Sequence, residues 1–292
     1  MQTTARDDSV GEARAVLGQV RSKDGTRIAY ARSGGGPALI LVDGALCSRA
    51  FGPSAKLAAL LAEHFTVYAY DRRGRGDSGD THPYSPEREL EDIAALIEEA
   101  GGSASLLGLS SGGALALHAA ATRLPVNRVV AYEPPYVDDG GERGGAAHAG
   151  HLSRLVAGGH RGDAVKYFMR DMVGAPAPIV VMMRLMPWVW RKLQAVAHTL
   201  PYDAAVMTEF RIPRARFASI ATPTLVLNGT KTDSRLKEAA RAIADAIPGA
   251  QHHELIGQTH NVKPEVLAPA VVEFAISGWS TRSEQRPAGQ AG

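Results

Sequence analysis

The sequence predicts an α/β fold, a doubly wound and mainly parallel sheet, and three observations carry that prediction. From about residue 38 to residue 132, short strand-like runs alternate with segments of helical period, the order that builds a sheet with helices on both faces. Ala38 to Val42 is apolar without interruption, as a strand covered on both faces is. From 138 to 215 the alternation stops and only helical stretches follow, which predicts a helical insertion between two parts of one core, residues 18–137 and 216–279. Residues 1–17 and 280–292 are polar or small without a sustained period and are expected to be disordered tails.

Composition narrows the partners. The chain has 292 residues and a formal net charge of +2, enough length for a large core and too even a balance for nucleic acid or an anionic membrane as main partner. Its single cysteine, Cys47, cannot form an internal disulfide and suits a reducing compartment. No apolar run reaches the ~18 residues that cross a bilayer, and Met1 to Asp8 lacks the apolar centre of a signal peptide. A cytoplasmic location is the expectation.

Taken in order, Gln19–Arg21 and Thr26–Ala31 read as a hairpin turned by Lys23-Asp24-Gly25. After the strand Ala38–Val42, Gly44 permits a sharp turn, and Leu57, Leu60 and Leu61 share a helical face within 52–63. Thr66–Tyr70 is the next strand. The turn Asp71-Arg72-Arg73-Gly74-Arg75-Gly76-Asp77-Ser78 is rich in glycine, and its arginines and Asp71 are suited to bracing it with paired charges. Ser85 as N-cap and Pro86 at the first position open a helix whose apolar face is Leu90, Ile93, Ala94 and Ile97, and Gly101-Gly102 closes it.

Ala104 to Leu109 then suits a buried strand that runs into Gly108-Leu109-Ser110-Ser111-Gly112, and Ala114, Leu117 and Ala121 continue at helical spacing. Strand, G-x-S-x-G and helix in that order make a nucleophile elbow: the serine sits on a strained turn with its oxygen exposed. Glycines at 108 and 112 carry no Cβ to clash where strand and helix cross. The Ser111 N–H opens the helix and is free to donate to a developing oxyanion. Asn127–Tyr132 is the following strand, stopped by Glu133-Pro134-Pro135 because proline cannot donate to a ladder.

Asp138 to Gly145 reads as a flexible link, followed by helical stretches at 151–157, 162–173, 178–197 and 202–210. Thr224–Leu227 is a strand, 234–247 a helix, and His253–Ile256 the last strand, with His260 on the loop beyond it. Pro264–Ser277 is expected to be a short turn and then a helix from near Pro269. The histidines are dispersed without ligand spacing and no phosphate-cradling loop occurs, so neither metal nor cofactor is expected.

With the elbow, three further segments carry a resemblance. Leu39 to Ala45, the turn Tyr70 to Ser78 as D-x-R-G-x-G-x-S, and Gly257-Gln258-Thr259-His260 make the chain, from about Val20 to about Trp279, similar to the α/β-hydrolase superfamily, in its serine-nucleophile branch with a helical cap. The resemblance implies Ser110 as nucleophile, His260 as its base, and the N–H of Ala45 as a second oxyanion donor facing that of Ser111. A serine here also argues against haloalkane dehalogenase and epoxide hydrolase chemistry, which in this fold use aspartate.

The acid departs from the family pattern. Most relatives place it in G-x-x-D after the penultimate strand. Here Gly229-Thr230-Lys231-Thr232 puts threonine at that position, and Asp233 follows one residue late, where it reads equally as the N-cap of the 234–247 helix. Glu133 ends the preceding strand, from which some relatives supply the acid. Glu133 is favoured and Asp233 is the alternative. A second departure is Asp43, where many relatives have histidine; it either hydrogen-bonds the neighbouring loop or sets a charge beside the oxyanion hole.

Six of the seven methionines and two of the three tryptophans fall in the insertion, and an adaptable apolar wall over the site is one reading of them. Met172, Met183, Met186 and Trp188 are the expected substrate contacts. The implied activity is hydrolysis of an ester, thioester or lactone of a small, largely apolar molecule. The alternatives are C–C hydrolysis, a lyase or cyclase step on a natural-product-like substrate, or a catalytically silent binder of the same fold.

Overall fold

Eight strands form one sheet in the computed structural model, which describes residues 15–137 and 145–277. They are β1 (Val16–Arg21), β2 (Arg27–Ser33), β3 (Ala38–Val42), β4 (Thr66–Tyr70), β5 (Ala104–Leu109), β6 (Val126–Tyr132), β7 (Thr224–Gly229) and β8 (Gln251–Leu255). Their spatial order is β1-β2-β4-β3-β5-β6-β7-β8. β2 runs antiparallel to both neighbours, and every other pair beyond it is parallel.

The unbroken apolar run of β3 is explained by the two layers it separates. Leu39 and Leu41 face one way, into a cluster with Leu57 and Leu61 of α1 (Ser54–Leu61) and Leu267, Val271 and Phe274 near the chain's end. Ile40 and Val42 face the other way, onto Ile93 and Leu96 of α2 (Pro86–Glu99) and Leu115 of α3 (Ser111–Ala120). Alternate side chains of a strand point to opposite faces, so a strand buried on both must be apolar throughout.

Among the described residues between β6 and β7 the regular elements are all helical, the α-helices being α4 (Gly145–Ala157), α5 (Arg161–Tyr167), α6 (Ala177–Arg184), α7 (Pro187–Val196), α8 (Leu200–Val206) and α9 (Arg214–Phe217). The helix expected over 178–197 is broken, because the ring of Pro187 excludes helical geometry at Met186, which sits at φ −102°, ψ 92°. The stretch 162–173 is likewise divided: α5 stops at Tyr167 and one π-helical turn covers Phe168–Met172. Two helices complete the core, α10 (Ser234–Ala246) and α11 (Pro264–Ser277).

Pro269 does not start α11 but lies inside it. One lost backbone hydrogen bond is outweighed by the burial of Leu267, Ala268, Val271 and Phe274 against the sheet. At the N-terminal side, Val16 and Leu17 pair with Arg32 and Ala31, so the strand begins inside the expected tail. β8 begins two residues before its expected start at His253 and ends before Ile256, which is 86% exposed; it is a half-exposed edge strand whose apolar signal is weak. The tail 280–292 and most of the link from Asp138 lie outside the described residues. Among the described residues no helix is long and apolar enough to cross a membrane.

The turn after β4 is held by buried ion pairs. Arg72, Arg73 and Arg75 are among the largest fully buried side chains. Arg73 donates to Asp92 of α2 at 2.7 and 2.8 Å and to Asp24 of the β1–β2 turn at 2.9 Å. Asp71 accepts from the N–H groups of Arg49 and Asp77 at 2.7 and 2.9 Å. Charged turns survive burial only when each charge is met in this way.

Backbone clearance gives a test of the fold. A Cβ at Gly108 would stand 2.3 Å from the Gly112 carbonyl oxygen, whereas one at Gly150 in α4 would meet nothing within 4 Å. Gly108→Ala is expected to destabilise the protein by at least ~2 kcal/mol, and Gly150→Ala to stabilise it by ~0.5–1 kcal/mol, in urea denaturation. Equal effects of the two substitutions would contradict the close crossing.

Candidate active site

The expected turn from strand to helix is present between β5 and α3. Ser110 sits at φ 54°, ψ −124°, in the left-handed region that side chains other than glycine rarely adopt. Its own N–H donates to the Tyr132 carbonyl at 2.9 Å, and its carbonyl accepts from Gly113 N–H at 2.8 Å. The crossing tolerates no side chain at 112 either, where a Cβ would come within 2.1 Å of the Val42 oxygen. Strand end, turn and helix start are therefore clamped, and Ser110 is presented to a cavity.

That cavity has a volume of about 700 Å³ and also receives Ala45, Ser111 and His260. Neither the Ala45 nor the Ser111 N–H has an acceptor among the described residues. On the wall beside Ser110, His260 and Glu133 meet, Nδ1 to Oε2, at 2.7 Å. Glu133 is fully buried, and its other oxygen accepts from Gly229 N–H at 2.7 Å and from the Thr232 hydroxyl at 2.6 Å. Like Ser110 it has a positive φ, 47°, held in place by its N–H donating to the Leu227 carbonyl at 2.9 Å and by Pro134 after it. The Tyr132 hydroxyl donates to the Thr259 carbonyl at 2.6 Å and so pins the loop that carries His260.

Asp233, the alternative acid, does something else. It is exposed, accepts from the Arg235 N–H at 3.0 Å as the N-cap of α10, and pairs with the Arg235 guanidinium at 3.0 Å. Those Arg235 hydrogen bonds hold its carboxyl below the usual range. Thr232, at the position where the family pattern has aspartate, donates to Glu133.

The expected substrate contacts divide. Met172 lines the cavity, whereas Met183, Met186 and Trp188 do not. Met183 and Met186 are partly buried against the apolar cluster that the insertion shares with one face of the sheet, and Trp188 is 62% exposed because α7 turns Val189, Leu193 and Val196 inward instead. The apolar walls come from Val137, Phe168, Val173, Met207, Phe210 and Leu236. Phe168 and Met172 both belong to the π-helical turn, which no apolar period reveals. Among the described residues no three His, Cys, Asp or Glu side chains are grouped to hold a metal.

A sequence profile described as the alpha/beta hydrolase family matches residues 34–271. The chain belongs to that family. A pimeloyl-[acyl-carrier protein] methyl ester esterase from Xanthomonas campestris pv. campestris (strain B100) is 30% identical over 238 residues, 78% of this chain and 89% of its own length. The crystal structure of an alpha/beta hydrolase from Sphaerobacter thermophilus DSM 20745 matches with a TM-score of 0.82 at 52% identity, over 88% of this chain and 100% of that one. The enol-lactonase from Burkholderia xenovorans LB400 matches with a TM-score of 0.64 over 88% and 99% of the two chains; at 23% identity it speaks for the fold alone.

In this alpha/beta hydrolase Asp43 stands under the loop that carries Ala45. Both carboxylate oxygens are buried without a partner in hydrogen-bond geometry, and the Ser54 hydroxyl is the uncharged group that acts on them. Burial pushes its pKa up to about 6, against the opposing pull of the Ser54 hydroxyl and the Arg75 and Arg72 guanidinium groups. A carboxyl with a raised folded-state pKa binds its proton more tightly folded than unfolded. Its charge thus costs stability above about pH 6, and that cost fades as pH falls from 6 toward the unfolded value of ~4. Asp43→Asn is expected to stabilise the protein by up to ~3 kcal/mol at pH 8 and by little near pH 4.5, in paired urea denaturation curves. A stabilisation that is the same at both pH values would show that Asp43 is not the titrating group.

Proposed function

We propose that this chain is a serine hydrolase that cleaves an ester, thioester or lactone of a largely apolar small molecule through an acyl-enzyme. The observation that carries the reading is the 2.7 Å contact of His260 with buried Glu133, on the wall of the cavity that holds Ser110. The methyl ester esterase of Xanthomonas campestris supports an ester bond as the target. A cytoplasmic location belongs to the proposal and rests on the single, unpaired Cys47.

In this reading Glu133 accepts from the Nδ1–H of His260, which fixes the tautomer and leaves Nε2 free to take the Ser110 proton. Ser110 Oγ attacks the carbonyl carbon, and the N–H groups of Ala45 and Ser111 receive the oxyanion. His260 then gives its proton to the departing alcohol, thiol or lactone oxygen. Water, activated by the same imidazole, attacks the acyl-enzyme and restores Ser110. The apolar side chains around Met172, Phe168 and Phe210 would take the acyl part. A displaced acid and the unusual Asp43 are the grounds for a silent binder; the carboxylate of Glu133 at hydrogen-bond distance from His260 supports a working hydrolase instead.

Ser110→Ala is expected to abolish fluorophosphonate labelling and to reduce ester turnover by ~10³- to 10⁶-fold. Labelling that persists in this variant would remove Ser110 from the reaction. Isosteric changes separate the two carboxylates: Glu133→Gln is expected to lower kcat by at least ~100-fold, and Asp233→Asn by less than ~3-fold, since asparagine caps a helix about as well as aspartate. The reverse pattern would transfer the acid to Asp233. Across a series of p-nitrophenyl esters, kcat/KM should rise from acetate to longer acyl chains, and a flat series would contradict an apolar acyl site.

A further inference from the structure

The buried ion pairs of the β4 turn do more than brace it. Arg75 Nη1 donates to the Gly44 carbonyl at 2.7 Å, while its Nη2 donates to both oxygens of Asp203 on α8 at 2.7 and 2.8 Å and its Nε to Thr199 at 3.1 Å. The Gly44 carbonyl and the Ala45 N–H belong to one peptide group, which is rigid and trans, so the two point in opposite directions. Holding the oxygen toward Arg75 turns the N–H away from it, and Ala45 borders the cavity. A charge-assisted hydrogen bond to the oxygen also polarises the peptide and strengthens its N–H as a donor.

The same carboxylate reaches the other donor. Ser111 Oγ donates to Asp203 Oδ1 at 2.7 Å, and Arg72 Nη1 lies 2.7 Å from that oxygen, 3.2 Å from Ser111 Oγ and 3.2 Å from the Asp43 carbonyl. Arg72, Arg75, Ser111 and Asp203 are all at most 2% exposed. Thus one acid, delivered from the helical insertion 92 residues beyond Ser111, is tied through a side chain to each of the two residues flanking the expected oxyanion position.

We propose that Arg75 and Asp203 are positioning residues that orient the Ala45 and Ser111 N–H groups toward the oxyanion, a role that rests on the acyl-enzyme reading of Ser110. Without the Arg75 bond the Gly44–Ala45 peptide, with glycine on one side, is free to rotate and withdraw its N–H. Loss of one oxyanion donor costs ~10²- to 10³-fold in kcat in comparable sites.

The test compares Arg75→Lys and Ser111→Ala with Arg73→Lys, which alters an equally buried arginine of the same turn whose partners, Asp24 and Asp92, lie away from the Gly44 loop. Four quantities are read: kcat and KM for a p-nitrophenyl ester, affinity for a trifluoromethyl ketone whose adduct with Ser110 places an oxyanion in the hole, and affinity for a neutral competitive alcohol. Arg75→Lys is expected to lower kcat and ketone affinity together by ~100-fold, with KM and alcohol affinity within ~3-fold. Ser111→Ala should do the same by ~10-fold. Arg73→Lys should lower the melting temperature and leave all four quantities unchanged.

Wild-type kcat and ketone affinity in a folded Arg75→Lys would overturn the proposal, as would equal losses of ketone and alcohol affinity. If Arg75→Lys does not fold, Ser111→Ala, a small change at a helix start, decides by the same criteria. Ester turnover that survives Ser110→Ala would overturn the acyl-enzyme reading itself and this proposal with it. Turnover that depends on Ser110 but ignores Arg75 and Ser111 would overturn the positioning role alone.

Discussion

The contact between β5 and α3, backbone against backbone, is the constraint from which the site is built. A Cβ at either flanking glycine would fall 2.1 to 2.3 Å from a carbonyl oxygen. This closeness forces the tight turn that holds Ser110 at positive φ, a strain of ~1–3 kcal/mol for a residue with a side chain. The strain is sustained by the surroundings, since every residue of β5 and of α3, on either side of Ser110, is buried. Because a Cβ at Gly112 would meet both the Val42 and Asp43 oxygens, the same crossing fixes the end of β3, and the loop that bears Ala45 starts from a rigid point.

Polar burial around that point is extensive and almost fully matched. Arg72 meets Glu89 at 2.7 Å through each of two nitrogens, Arg73 meets Asp24 and Asp92, and Arg75 meets Asp203. Removing one partner from such a pair strands a charge and costs ~3–5 kcal/mol, so the network locks together the hairpin, α2, the β4 turn and the insertion. Two exceptions are the Tyr70 hydroxyl and Asp43, a carboxylate beside these arginines with neither oxygen in hydrogen-bond geometry with a partner. Burial raises the pKa of Asp43 despite the neighbouring guanidinium groups and the Ser54 hydroxyl.

What the sequence discloses follows what is local. The elbow was legible because strand, glycines and helix are contiguous, and β3 because burial on both faces leaves an unbroken apolar run. Glu133 was legible as one of two carboxylates; what separates it from Asp233 is the pairing of β6 with β7, which brings Gly229 and Thr232 onto its oxygen. Asp203 was not legible at all, since its partners Arg72 and Arg75 precede it by 131 and 128 residues. The cavity walls were half legible: a wealth of methionine marks an adaptable surface, yet which methionine faces inward depends on the π-helical turn at Phe168–Met172 and the break before Pro187. Both are set by tertiary packing or a single ring rather than by periodicity.

The loop after β7 shows how closely two duties are interleaved. Gly229 and Thr232 bind the carboxylate that holds His260, while Lys231, Asp233, Arg235 and Leu236 face the cavity. None of the latter four side chains hydrogen-bonds Glu133 or His260; only the Lys231 backbone N–H reaches the histidine's loop, donating to the Gln258 carbonyl at 2.8 Å. A mutant library restricted to them would therefore vary the rim met by an incoming ligand while leaving intact the hydrogen bonds around Glu133, so that selectivity becomes open to redesign independently of the chemical machinery.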